Sequence, residues 1–589
     1  MLEFVNTANT NLTINLSEMK QCLYLSAMAL GVMSSLTACR PTQAEVSALE
    51  DAAIFEFFSY RGMDDFYVEN PLPDECSFYN PILPGWNSDP SICTNGEGDY
   101  FIATSSFTYV PGVPLYHSRD LVNWRQVGHV LTRESQMNNF RHQHVSGGIF
   151  APDIKYNPAN KTYYMITTNV GAGNFFVKTR DPFGEWSDPV YLPEVQGIDP
   201  SFFFDNDGRA YIVNNDDAPE GKPEYAGHRT VRIVEFDTAT DRCVGERRII
   251  VDKGWRPQDK PIWCEGPHIY NVDGTYYLMT AEGGTAHDHS EVIYKGKTPF
   301  GPYEPWSENP ILTQRDLDNG RPDPVTCAGH ADLVKTPEGE WWAVFLACRP
   351  IDNDFENLGR ETFLMPVKWT DDGWPRITGK GEAIPMICRR QGVARGEAVT
   401  FGNFEWSDDF TSGIRDKEWY TLRGDASEHC SLSAVPGHLT MRCAEVATTE
   451  KNVLSFMGRR VQHHKYDCST RMVFSPGRHD LHAGLLVMKD ETHQYQLARG
   501  CGDDGQYLAL RRIEGDSVAE LASVPVDASV AELDLRVVSR GRTLDFLYSL
   551  DRGTNWGTLV TEVDARHTST AEAGGFTGTL IGPYASSKK

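Results

Sequence analysis

Hydrophobic and polar positions follow one layout that recurs five times along this chain. A polar head residue leads a short apolar run, then a turn rich in Gly, Asn or Asp, then a second run that opens on an aromatic. Asp89 precedes Tyr100 by 11 residues, Asp153 precedes Tyr163 by 10, Asp199 precedes Tyr211 by 12, Glu265 precedes Tyr276 by 11, and His330 precedes Trp341 by 11. Successive heads stand 64, 46, 66 and 65 residues apart, without a helical period between them. Small antiparallel sheets repeated in this way predict a five-bladed β-propeller over residues 77–385, with insertions at loop tips because the spacings exceed a usual blade.

After "LMPVKWTDDGWPRI" (364–377) the pattern changes. Residues 386–404 read as a linker, and short alternating runs such as "HLTMRC", "STRMVF", "HAGLLVM", "YLALRRI" and "LDLRVVS" predict a β-sandwich over 405–589. Within it, "KDETHQYQLARG" reads as a solvated strand edge. Residues 40–76 read as an N-terminal linker. Ahead of them, Met19-Lys20, the apolar "CLYLSAMALGVMSSL" and "LTAC" (36–39) describe an export signal over residues 1–39, with Met19 as the true start. The apolar run is short for a membrane span. "LTAC" resembles a bacterial lipobox, which makes Cys39 a lipidated residue and the protein an anchored one in the cell envelope.

A net charge of −26 excludes nucleic acid as a partner, since phosphate is repelled. The 13 cysteines show neither CxxC nor zinc spacing, so neither a metal cluster nor a disulfide framework is expected from the sequence. Abundant aromatics (13 Trp, 24 Tyr, 28 Phe) suit sugar-stacking surfaces and β-cores equally.

The head residues carry the candidate chemistry. In "GWNSDPSI" (85–92), Asp89 stands directly before a proline, which predicts an extended residue displayed at a strand entrance. The first strand of each propeller blade lines the central channel, so Asp89, Asp199, Glu265 and His330 should converge at one mouth. Glycoside hydrolysis needs one carboxylic acid to protonate the leaving oxygen and one carboxylate to activate water or attack carbon. A third carboxylate near the acid keeps it protonated by like-charge repulsion. Residue types and placement nominate the three acids without assigning roles; taken singly, Asp-Pro is an ordinary turn and Glu-Gly-Pro a strand edge. Asp153 reads as structural, His287 and His289 as a hydrogen-bonded loop near the pocket, and Trp341 and Trp342 as blade core.

The chain also resembles glycoside hydrolase family 43, from "NPILPGWNSDPSI" (80–92) to its end, most specifically at "GGIFAPD", "EGPHIY", "YYLMTAEGGT", "CAGHADLV", "CRP" and "LGRETF". The resemblance implies β-xylosidase or α-L-arabinofuranosidase activity on plant-cell-wall oligosaccharides, exo-acting and inverting. It implies Asp89 as general base, Glu265 as general acid and Asp199 as the residue that tunes the acid's pKa. It further implies Arg349 in contact with substrate and acid, Phe107 as an aromatic wall, and no required cofactor. His330 matches a channel histidine that in some relatives sits beside a water-coordinated calcium. Relatives often carry Trp where Phe150 stands, and His479 falls where a close relative inserts a phenylalanine into the pocket. Two rivals are a lipid-anchored glycan-binding protein and a retaining, fructan-cleaving five-bladed hydrolase. Retention of all three acids weighs against the first, and "LGRETF" with the sandwich against the second.

Overall fold

The computed structural model describes residues 51–588 apart from 398 and 414, so the expected export signal and Cys39 lie outside the described residues. Residues 77–389 form a five-bladed propeller. Blade 1 comprises strands Ser91–Thr94, Tyr100–Ala103, Gly112–Ser118 and Arg125–Leu131. Blade 2 comprises Asp153–Asn157, Thr162–Asn169, Gly173–Thr179 and Val190–Tyr191. Blade 3 comprises Ile198–Phe204, Ala210–Asp217, Arg229–Asp237 and Arg242–Asp252. Blade 4 is built on Glu265–Val272, Thr275–Glu282 and Ser290–Gly296, with Glu304–Pro305 and Leu312–Thr313 both pairing the last. Blade 5 holds Thr326–Lys335, Trp341–Cys348 and Glu361–Pro366. The chain preceding blade 1 closes the ring. Leu83 exchanges backbone hydrogen bonds with Thr362, and the Asn80 side chain brackets Leu364. Ser77–Tyr79 also pairs with Ile387–Arg389. As expected, Trp342 is buried and Trp341 packs at the edge of that core.

The second domain is a sandwich of an eight-stranded and a six-stranded antiparallel sheet. Its make-up corrects the reading of residues 40–76 as linker. Ala52–Gly62 is a strand inside the eight-stranded sheet, pairing Lys465–Val473 on one side and Leu439–Arg442 and Glu405–Asp408 on the other. "AAIFEFFSYRG" is almost wholly buried because the facing sheet covers Phe55, Phe58 and Tyr60, while Val435 and Val473 cover Ile54 and Arg471 pairs with Glu56. The chain therefore starts the sandwich, runs the propeller, and returns to finish the sandwich.

The segment "KDETHQYQLARG" is also not a solvated edge. Lys489, Asp490, Glu491, Gln494 and Arg499 are buried, and the strand His493–Gly502 lies inside the six-stranded sheet. Its charges face partners, not water: Glu491 receives Val145 N of the propeller at 2.9 Å and pairs with Arg423. The domains are joined further by a strand pair, Tyr109–Val110 with Thr421–Leu422, and by Trp86 under the Arg460 guanidinium.

Candidate active site

The channel is lined in two layers. The mouth layer brings together Asp89, Asp199, Glu265 and His330, which share one pocket with Phe107, Phe150, Ala151, Ile198, Thr285, Arg360 and Phe576. Asp89 is not extended, as the following proline suggested, and Asp199 departs from extended backbone in the same way. Both take left-handed backbone, φ +53° and +51°, and His330 does the same at +53°. Blade 4 places the left-handed residue one position later, on Gly266 at +54°, where an added Cβ would lie 2.8 Å from His330 Nε2. Non-glycine residues held there are strained, and the surrounding sheet must impose the conformation.

His330 departs from its expected place at a strand start. Its strand begins at Thr326, and two irregularities, before and after Gly329, turn His330 toward the mouth. Asp153 is displaced the other way: blade 2 contributes Ala151 to the mouth, and Asp153 sits two residues farther along the same face.

The electrostatics separate the acids. Burial would raise Asp89, but Arg360 Nη1 at 2.8 Å, then His330 and the hydroxyl of Ser105, hold its carboxyl below the ordinary range. Glu265 is driven the other way, to about 8, first by burial and then by the negative charge of Asp199. Asp199 accepts Gly266 N at 3.3 Å and faces His330 Nε2 at 3.7 Å. Burial would discharge His330, yet the nearby carboxylates of Asp199, Asp89 and Glu265 push it up to about 9. One acid is thus ionised and another protonated at neutral pH, beside a cationic imidazole. That is the division of labour that hydrolysis of a glycosidic bond requires.

Two expected pocket residues lie elsewhere. Arg349 is held bidentately by Glu361 at 2.7 and 2.8 Å and donates to Tyr67 Oη at 3.1 Å, lining a separate cavity with Asp64 and His464. The arginine of the site is Arg360, from "LGRETF". Arg360 and Glu361 are neighbours, so their side chains leave on opposite faces, one toward Asp89 and the other toward Arg349. His479 is 62% exposed and pairs with Asp503 at 3.3 Å. The sandwich instead inserts Phe576, whose ring stacks on Phe107 at 6.1 Å and meets Phe150 edge-on at 5.9 Å. Its loop is fixed by Phe576 N to Ser146 Oγ, 2.9 Å, and Thr579 N to Asn357 O, 2.9 Å. The sequence signal was "GGFTG": Gly574 and Gly575 have φ +71° and +74°. Phe107 and Phe150 lie where expected. His289 is buried near the mouth, with Nδ1 2.9 Å from Cys327 O, whereas His287 is exposed, so the two form no metal pair.

His330 Nδ1 is buried without a hydrogen-bond partner, as are His289 Nε2 and Glu291 Oε1. Among the described residues His330 belongs to no close trio of metal-ligating side chains. These residues fit a cation held through water only with His330 neutral, because an imidazolium has no lone pair to offer such a water.

Beyond the mouth, a second layer ties every blade to the next. Ile154 N donates to Ser91 Oγ, Phe202 N to Asp153, Ser201 Oγ to Pro267 O, Leu333 N to Tyr270 Oη, and Ile92 N to Asp332. Lys155 Nζ lies 2.6 Å from Asp332 and 3.2 Å from Asp153, with His268 beside both acids. The structural reading of Asp153 holds.

Residues 78–375 match the glycosyl hydrolases family 43 and residues 407–589 match the beta xylosidase C-terminal concanavalin A-like domain. The chain is 34% identical over 523 residues to a non-reducing end alpha-L-arabinofuranosidase of Bacteroides ovatus, covering 87% of this chain and 91% of that one. It is 37% identical over 524 residues to a xylosidase/arabinosidase of Butyrivibrio fibrisolvens, covering 86% and 95%. Among solved structures, a GH43_12 protein from a capybara gut metagenome superposes with a TM-score of 0.84 at 40% identity, covering 91% of this chain and all of that one. With its five-bladed propeller, appended sandwich and divided carboxylates, this chain belongs to glycosyl hydrolases family 43 and is a glycoside hydrolase.

Proposed function

We propose that the protein removes single terminal xylose or arabinofuranose units from xylan- or arabinoxylan-type oligosaccharides, with inversion. The observation that carries this reading is the placement of Asp89 against Arg360, and of Glu265 with Asp199, inside one pocket roofed by Phe576. A roofed pocket accepts a chain end rather than a chain interior, which makes the attack exo. Glu265 donates its proton to the departing glycosidic oxygen, while Asp89 takes one from the water that attacks the anomeric carbon from the opposite face. Arg360 keeps Asp89 anionic, and Asp199 keeps Glu265 protonated until the leaving group needs the proton. Relatives named for xylosidase, for arabinofuranosidase and for both support a pocket that takes either pentose. A divalent cation held through water by a neutral His330 would add positive charge to the channel and favour the ionised form of both Asp89 and Glu265.

Release of p-nitrophenol from the paired β-xyloside and α-L-arabinofuranoside tests the substrate class, and proton NMR tests the stereochemistry. A β-xyloside should first yield α-xylose. Initial release of the β-anomer would make Asp89 a nucleophile and overturn the mechanism. We also propose anchoring in the bacterial cell envelope through lipidated Cys39. Cys39→Ser should move the protein from the membrane to the soluble fraction, and unchanged partitioning would defeat that reading.

A further inference from the structure

The cysteine spacing points to no metal site, but the fold creates one. Cys348 ends its strand opposite Thr326, so the next residue, Cys327, would ordinarily point to the other face. The irregularity that follows, with Cys327 at φ +56°, turns its side chain onto the face of Cys348. A turn that returns the chain at Phe355 then presents Glu356 to the same spot. The two sulfurs and a Glu356 oxygen lie within 4.8 Å of one another, with Cys327 Sγ 3.8 Å from Glu356 Oε1. Both cysteines are buried and Glu356 is partly so.

We propose that Cys327, Cys348 and Glu356 bind a thiophilic divalent cation of the Zn²⁺ and Cd²⁺ class beside the substrate pocket. Zinc–sulfur bonds of about 2.3 Å in a tetrahedral site place the sulfurs roughly 3.8 Å apart, and three protein ligands leave a fourth position for water. The donors need only a small inward movement. Charge supports the assignment. Two thiolates and a carboxylate carry three negative charges, which a divalent ion and the buried ammonium of Lys489 together neutralise. Lys489 donates to Thr570 Oγ1 at 2.9 Å and to Thr577 O, the residue after Phe576. Binding displaces two thiol protons to solvent, with any proton on Glu356, and no electrons move.

The other close trio among the described residues, Asp153, His268 and Asp332, offers no such vacancy for an ion, because Lys155 Nζ already sits 2.6 Å from Asp332. Lys489 lies near the thiol trio, but among the described residues no ion pair reaches Cys327, Cys348 or Glu356, so no ammonium stands between the ligands. Since its elements carry Arg360 and receive the Phe576 loop, an ion there would stiffen two walls of the pocket.

The test is titration of the full-length, reduced protein with Cd²⁺, read by the ultraviolet thiolate-to-cadmium charge-transfer band and by proton release in weak buffer. One saturable equivalent is expected, lost in Cys327→Ser/Cys348→Ser and weakened at least tenfold in Glu356→Gln. A far-ultraviolet circular dichroism spectrum and a urea midpoint matching those of the metal-free wild type show that each variant is folded. If the double variant does not fold, single Cys327→Ala, expected to weaken binding at least tenfold, and zinc analysis of the wild type after dialysis decide instead. Three results would overturn the proposal: no charge-transfer band, an unchanged band in the cysteine variants, or an intact mass showing Cys327 and Cys348 already joined as a disulfide in the purified protein.

Discussion

The mouth of the channel and the layer behind it are built from the same residue types, yet they do opposite things. Each holds two aspartates, a histidine and a basic side chain, all largely buried. In the second layer, the backbone N–H groups of Ile92 and Phe202 and the ammonium of Lys155 are aimed at Asp332 and Asp153. There the polar groups fasten blade to blade, and His268 is driven down to about 3 by burial and stays neutral. At the mouth, a third acid, Glu265, is added without a counter-charge of its own, and the backbone is left-handed at three of the heads. The inner layer spends its polar groups on fastening the ring, whereas the layer two residues away keeps a proton on Glu265 for the substrate.

The largest effect should come from the mouth. Glu265→Ala should lower kcat on xylobiose by about 10²–10⁴-fold, the range of general acid catalysis, and much less on aryl glycosides whose leaving group needs no proton. Equal losses on both substrates would remove Glu265 as the acid. The second layer should respond in stability instead. Asp332→Asn leaves Lys155 short of one buried partner and should cost about 3 kcal/mol, read from the urea midpoint, while the folded fraction keeps its kcat. A fall in kcat without a fall in stability would erase the distinction between the layers.

The pH profile gives an intermediate effect. Activity needs Glu265 protonated, so it should fall as pH rises through about 8. It needs Asp89 ionised, so the acid side should fall only below the ordinary carboxylate range. Asp199→Asn removes a negative charge that raises Glu265, and should move the basic limb to lower pH. Arg360→Gln removes a charge that lowers Asp89, and should move the acidic limb to higher pH. Arg349→Gln should move neither, which separates the two arginines in one set of kcat/KM profiles.

Much of this arrangement could be read from the chain. A head followed by an aromatic after 10–12 residues is a local pattern, and it located Asp89, Asp199 and Glu265. What failed depended on contacts distant in sequence. Asp153, read as structural and found in the blade-joining layer, shows the limit of the pattern itself: it carries the same head layout, but a shift of two residues moves it one layer down. Arg349 and Arg360 are both buried against carboxylates, and only the packing of Glu361 decides which one reaches Asp89. The strand Ala52–Gly62 pairs with residues more than 340 positions later, which no local period reveals. Cys327 meets Cys348 through a β-irregularity rather than a metal-binding spacing.

The smallest effect belongs to the one pocket wall that the sandwich supplies. Phe576 is 39% exposed, stacks on Phe107 and lies 5.4 Å beneath the Arg360 guanidinium. As a pocket wall its ring would also pack on the bound sugar, and an aromatic contact of about 0.5–1.5 kcal/mol there means that Phe576→Ala should raise KM for the xyloside by roughly 2- to 13-fold. Because Arg360 also bears on Asp89, some loss of kcat could follow if the guanidinium drifts, and that loss would grow toward acid pH. Phe576→Tyr should restore KM, since it keeps the ring. A large, pH-independent fall in kcat instead would mean that the roof takes part in the chemistry, and the sandwich would then belong to the catalytic layer rather than to its enclosure.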